Sequence, residues 1–305
     1  MLIGEVSADA VRTAMSAAGV ITKLGPISVR FRSKIPEVAT YVRSHYAAFP
    51  VLDAEGCHLT IDVQPTPGVR RVFGRQALLG CDGMVPFYPL PRHMAPALLE
   101  WGLNWGIGRR VHHLVVIHSA VVVRNGRAAL LPAEPGSGKS TLCAALVAHG
   151  WQLGSDEFAL VDPETSQIFP LPRPISLKER SIEIIAARMA DPCFGPEVHD
   201  IEGERTRHLA PPAESVALAD RPATGAWIVV PRYAAGSPTI FRPASRAKAL
   251  VHLAGSSYNY NALGIRGFEA LARIVDGASC HTLTYSNLDE ALVLFDQLAE
   301  SSSPS

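Results

Sequence analysis

The chain lacks any excess of charge. Its 28 Lys+Arg stand against 28 Asp+Glu, a formal net charge of zero. That balance excludes a globally basic nucleic-acid binder and a strongly acidic solvating chain. Charged residues reach only 18% while apolar residues make up 48%, so there is ample material for a core and no signature of intrinsic disorder. Paired cysteines are also missing: Cys57, Cys81, Cys143, Cys193 and Cys280 are odd in number and form no CxxC. They read as free thiols in a reducing compartment, not as a disulfide framework or zinc ribbon. No apolar run approaches the roughly 18 residues of a membrane span. The most apolar region, His113 to Ala133, is interrupted by His118, Arg124, Asn125 and Arg127. At the start, Glu5 and Asp9 stand where a secretory leader needs an apolar stretch. The expectation is a soluble, cytoplasmic protein with neither a membrane nor a nucleic acid as partner. Lysine itself is scarce, with Lys23, Lys34, Lys139, Lys178 and Lys248 the only five.

At 305 residues the length suits one large domain or two modest ones. Alternation predicts strands at Ile27–Phe31 and His58–Val63, with a helix between them over Ile35–Tyr46 that has Pro36 in its first turn. The Pro-rich stretch Val85–Pro96 marks a break, and Ala95–Arg110 follows at helical spacing with Trp101 and Trp105 expected in the core. Arg124-Asn125-Gly126 joins two apolar strands as a hairpin. Ser140–His149 reads as a helix stopped by Gly150. Gln152–Val161 reads as one strand, Ser181–Ala190 as a helix and Pro192–Pro212 as a mobile polar loop. Trp227–Pro231 (strand), Phe268–Val275 and Leu288–Leu298 (helices) complete the reading.

The strongest motif is Ala133-Glu134-Pro135-Gly136-Ser137-Gly138-Lys139-Ser140-Thr141. It matches a Walker A loop with alanine at the first glycine and an extra glycine at 136. Such a loop turns backbone N–H groups toward phosphate oxygens, and the following helix aims its positive end at them. Lys139 would reach the β- and γ-phosphates, and the Ser140 hydroxyl would join a Mg²⁺ shell. Seventeen residues beyond Lys139 stand Asp156 and Glu157. A helix of about ten residues travels roughly 15 Å outward. A strand of about six returns nearly 20 Å. The pair can thus arrive near the γ-phosphate, as a proton acceptor or a metal ligand. A transporter-type ATPase needs a signature motif and a later acidic strand, and neither is present.

The run from Ile117 to Asp162 resembles the catalytic core of HPr kinase/phosphorylase, with a histidine (His118), a hairpin, the loop and then the acidic pair. It is closest to the HPr-kinase-related kinases of type A, which share LEWGLNW (Leu99–Trp105), LPRPISLK (Leu171–Lys178), W-I-V-x-P-R-Y (Trp227–Tyr233) and YSNLDEAL (Tyr285–Leu292). The resemblance implies an α/β fold of the HPr kinase C-terminal, phosphoenolpyruvate-carboxykinase-like type. That P-loop kinase domain would span 111–300, after a smaller mixed α/β segment at 1–110 and before a disordered tail at 301–305.

The implied activity is Mg-ATP-dependent transfer to a serine or threonine hydroxyl of a protein or peptide. Asp156 would act as general base, Glu157 as a second carboxylate near the metal, and His118 as a hydrogen-bond partner of Asp156. Lys178, Arg180 and Arg232 are candidates to meet phosphate charge, while His112 and His113 are read as structural. The glycine-rich signature that follows the acidic pair in HPr kinases is replaced here by Ile175–Arg180, and the second acid is glutamate instead of aspartate. Type A relatives point to a small peptide or peptide-carrier protein encoded nearby as acceptor, and HPr kinases to a homo-oligomer. Two other readings stay open: a nucleotide-gated peptide-binding scaffold without transfer, and a kinase of a small metabolite. Charge is uneven along the chain, with 12 basic and 8 acidic residues through Arg110 against 16 and 20 beyond it. The basic part, with Arg70 and Arg71, is a candidate docking surface for an acidic peptide.

Overall fold

The computed structural model describes residues 1–68, 75–199 and 203–301. Arg70 and Arg71 lie outside the described residues, as does the tail beyond Ser301. The protein is mixed α/β, with three sheets among the described residues. Two compact units emerge: Met1–Val111 with Arg173–Glu183 and Asp191–Ala217, and His112–Pro172 with Ile184–Ala190 and the chain from Leu218 on. This differs from a single division after residue 110, because two later stretches belong with the first unit.

The first unit opens with α1 (Ala8–Ser16), whose N-cap Ser7 accepts from Ala10 N–H at 3.2 Å. β1 (Val20–Leu24) and β2 (Ile27–Ser33) form a hairpin, and β2 buries alternate residues as its sequence pattern requires. α2 (Pro36–His45) crosses to β3 (Leu59–Pro65), parallel to β2, and β4 (Gln76–Cys81) and β5 (Leu90–Pro91) extend the sheet antiparallel. α3 (Ala95–Arg110) lies on β3 and β4. Gly102 and Gly106 permit that approach: a Cβ on either would fall 2.6 Å from Leu79 or 2.8 Å from Leu59. Trp101 and Trp105 are half-buried, not core, and the Arg109 guanidinium sits 5.5 Å over the Trp105 ring. Buried Glu100 accepts from Tyr41 (3.0 Å) and Tyr46 (2.7 Å) and faces Arg173 at 3.7 Å.

The second unit begins with β6 (Val115–Arg124) and β7 (Arg127–Pro132), joined by Asn125 and Gly126 at φ 52° and 72°. Two consecutive left-handed residues are what a two-residue hairpin turn demands. α4 (Lys139–Ala148) leads to β8 (Gln152–Ser155), β9 (Phe158–Val161) and β10 (Gln167–Phe169). The single strand expected over Gln152–Val161 is therefore interrupted at Asp156 and Glu157.

Next come β11 (Ile175–Lys178), α5 (Arg180–Ala186), β12 (Val198–His199), β13 (Arg205–Leu209) and α6 (Ala213–Ala217). β11, β13 and β12 make a three-stranded sheet in the first unit. The expected loop over Pro192–Pro212 thus carries two strands, because the polar residues of β13 alternate with Thr206 and His208, which are buried. The helix expected over Ser181–Ala190 ends at Ala186.

The second unit then closes with β14 (Ala223–Tyr233), β15 (Ile240–Pro243), α7 (Arg246–Gly255), α8 (Tyr260–Leu263), α9 (Ile265–Gly277), β16 (Ser279–Tyr285) and α10 (Leu288–Ser301). Ser301, counted with the expected tail, belongs to α10. The sheet order is β10-β9-β6-β7-β14-β16-β15, with β8 on β6, and β7, β14 and β16 run parallel. Its core joins Val115, Ile117, Leu130, Ile228, Leu271 and Ile274. Among the described residues no helix is long and apolar enough to cross a membrane.

Candidate active site

Strand register brings three segments to one point. β6 pairs with β7 on one side, Ser119 facing Pro132, and the glycine-rich loop departs immediately after Pro132. On its other side β6 pairs with β9 through His118 and Phe158 and with β8 through Val121 and Ser155. Asp156 and Glu157 fall in the gap between those pairings, opposite Ala120 and Ser119, and the Glu157 carbonyl accepts from Ser119 N–H at 3.2 Å. The Ser155 hydroxyl accepts from Glu157 N–H (3.2 Å) and Phe158 N–H (3.0 Å), so the interruption is a formed turn. Gly154 makes this possible, because a Cβ there would meet Val121 Cγ1 at 2.7 Å.

The loop itself needs its glycines. Gly136 and Gly138 have φ of 80° and 85°, the left-handed region that other residues rarely adopt. Gly138 is the N-cap of α4, whose first-turn N–H groups have no acceptor within the helix and are available to an anion. Glu134, Pro135 and Gly136 are exposed, Ser137, Ser140 and Thr141 half-buried, and Lys139 only 7% exposed. The Lys139 ammonium donates to the Asp156 carbonyl at 2.9 Å and lies 3.4 Å from His118 Nε2. His118 Nδ1 is 3.2 Å from Glu157 Oε1. An imidazole accepting at Nε2 from an ammonium suits the Nδ1–H tautomer, with the Glu157 carboxylate as the charge nearest Nδ1. The resemblance pairs His118 with Asp156; the contact here is to the adjacent Glu157. Asp156 is buried.

Residues that sequence reasoning left without a role frame this point. Ser256 to Asn259 line the stretch of β6 that β7 vacates: the Ser256 carbonyl accepts from His118 N–H at 2.7 Å, and Asn259 bonds Val116 N–H and the Leu114 carbonyl. Tyr258 stacks edge-on against Phe158, and its hydroxyl pKa is raised by burial and then by the Glu157 charge. Tyr233 and Tyr285 flank the loop: Tyr233 N–H donates to the Ser137 carbonyl (2.8 Å) and Tyr285 O–H to the Gly138 carbonyl (3.1 Å). The only sequence signal for these two was their place in the shared motifs. Arg232 is exposed on β14 beside Tyr233. Lys178 and Arg180 belong to the first unit, where the Lys178 ammonium meets Glu204 at 2.6 Å. His112 and His113 are exposed.

No family model and no curated protein matches the chain. A solved structure does. The HPr(Ser) kinase/phosphatase from Coxiella burnetii matches at a TM-score of 0.29 and 13% identity, over 61% of this chain and 94% of that one. What the site can do has to follow from its own groups. It offers a glycine-rich loop at a helix N-terminus, a buried ammonium, an imidazole and two carboxylates. The Ser140 hydroxyl and the Asp156 and Glu157 carboxylates are hard oxygen donors of the kind Mg²⁺ takes alongside water and phosphate oxygens. Among the described residues no cluster of three or more His, Cys, Asp or Glu could hold a metal without such help.

Proposed function

We propose that the second unit is a Mg-ATP-dependent kinase that transfers the γ-phosphoryl group to a serine or threonine hydroxyl of a protein or peptide. One observation carries the reading: Lys139, at the mouth of the glycine-rich loop, is tied to the Asp156 carbonyl, so the loop and the acidic turn share one point. A loop that only capped a helix would have no need of a buried ammonium beside two carboxylates. The pattern of His118, the loop and Asp156-Glu157 supports an HPr-kinase-like mechanism, and the chain-long motifs support a type A relative.

In this reading Gly136 to Thr141, with Glu134 and Pro135 shaping the turn, cradle the triphosphate. Lys139 neutralises charge on the oxygens of the transferred group. Ser140, Asp156 and Glu157 would hold magnesium, which when bound would supply neutralisation of phosphate charge. Asp156 takes the proton of the acceptor hydroxyl as its oxygen bonds to phosphorus and the bond to the β-phosphate oxygen breaks, releasing ADP. His118 fixes the position of Glu157 and shares the Lys139 ammonium. The acceptor is a peptide or small carrier protein encoded nearby.

Intact-mass measurement of neighbouring peptides after incubation with Mg-ATP tests this. One added phosphate per peptide is expected, with transfer falling at least about 100-fold in Asp156→Asn while nucleotide binding persists. ATP-dependent capture without a mass gain would replace the kinase by a scaffold, and full transfer by Asp156→Asn would remove the proposed base.

A further inference from the structure

Two consecutive carbonyls of the glycine-rich loop are held from the same side by neighbouring strand ends. β14 runs on past the last residue it pairs with on β7, and Tyr233 and Tyr285 sit opposite one another in the parallel register of β14 and β16. Tyr233 spends its backbone N–H on the Ser137 carbonyl, and Tyr285 its hydroxyl on the Gly138 carbonyl. The rings meet edge-on with centroids 5.8 Å apart. Gly138 is pressed against both: a Cβ there would lie 2.7 Å from Tyr285 Oη and 2.9 Å from Tyr233 Cβ. The Gly138 carbonyl already accepts the first helical bond of α4, from Leu142 N–H at 3.0 Å, so the tyrosine hydroxyl takes its second lone pair.

A peptide group cannot turn its carbonyl one way without turning its N–H the other. A loop that must present N–H groups to an anion therefore needs donor partners for its carbonyls on the opposite side. We infer that Tyr285, with the backbone of Tyr233, is a positioning residue that sets the 137–138 and 138–139 peptide planes so that the following N–H groups converge on the phosphates. This deepens the nucleotide reading and rests on it. Burial, and after it the neighbouring Tyr233, pushes the Tyr285 hydroxyl above its ordinary pKa, so it stays a proton donor across the working range. Tyr233 closes the motif W-I-V-x-P-R-Y and Tyr285 opens YSNLDEAL.

The test is Tyr285→Phe, which removes one oxygen and leaves the Gly138 carbonyl bonded within α4. Mg-ATP affinity by calorimetry, amide hydrogen exchange across Gly136–Ser140 without nucleotide, and the melting temperature are measured together. The expectation is Mg-ATP binding weaker by about five-fold, the scale of one net hydrogen bond, with faster loop exchange and a melting temperature close to the parent's. Unchanged affinity with unchanged loop exchange in the folded variant overturns the inference. A parent protein that does not bind Mg-ATP overturns the nucleotide reading instead, and loop exchange still reports whether Tyr285 holds the loop.

Discussion

Substituting the two loop glycines separates backbone strain from contact. Gly136 and Gly138 both have left-handed φ, 80° and 85°, so alanine at either pays about 1–2 kcal/mol for that conformation. There the likeness ends. A Cβ at Gly136 meets nothing within 4 Å, whereas at Gly138 it meets Tyr285 Oη at 2.7 Å and Tyr233 Cβ at 2.9 Å. The second contact is to the rigid base of a strand residue, so the loop or β14 has to move, an overpacking cost of about 1–3 kcal/mol. Gly136→Ala should therefore cost about 1–2 kcal/mol and Gly138→Ala about 2–5 kcal/mol. Equilibrium urea unfolding of both variants reads the difference. Combining Gly138→Ala with Tyr285→Phe should recover part of the loss, since one of the two close contacts is removed. Equal costs for the two single variants would refute the account of how the loop is packed.

Acid should weaken the first unit. Burial lowers the pKa of His45 to about 4 and of His208 to about 3, where the positive neighbours His45 and Arg173 also act. The unfolded chain binds these protons near pH 6.5 and the folded chain does not, so stability is complete above that pH and falls as pH drops toward about 4. The slope should approach roughly 1 kcal/mol per pH unit for each histidine, read from urea midpoints between pH 7 and 5; replacing both with glutamine should flatten it. Glu100→Leu strands the hydroxyls of Tyr41 and Tyr46 and leaves the buried Arg173 guanidinium, which still donates to Asn104, without its counter-charge, and should cost about 3–5 kcal/mol in the same assay. A loss below 1 kcal/mol would mean that Glu100 is not what satisfies them.

Local chemistry was legible along the chain, and long-range register was not. Asn125-Gly126 announced its hairpin because two left-handed residues have few alternatives, and α3 matched its expected bounds at Ala95 and Arg110. The turn at 133–141 was legible as a break before a helix, because Gly136 and Gly138 suit the left-handed conformations that lead into α4. The interruption at Asp156 and Glu157 was not, since it depends on β6 being long enough to pair with β8 and β9 in turn. No window of residues around 156 contains that information. β13 was hidden for a similar reason: its polar residues look like a loop until β11 supplies a partner. Tyr233 and Tyr285 lie about fifty residues apart in sequence and acquire a role only when β14 and β16 pair in parallel.

The most direct measurement is calorimetric titration of Mg-ATP into the parent protein and into Lys139→Met. Lys139 is buried against the Asp156 carbonyl and His118, and methionine keeps its length while removing the charge. The parent should bind one nucleotide, and the variant, still folded, should lose at least about ten-fold in affinity, the scale of a charge-assisted hydrogen bond to phosphate. No binding by the parent, or equal binding by both, would contradict a triphosphate site at this loop.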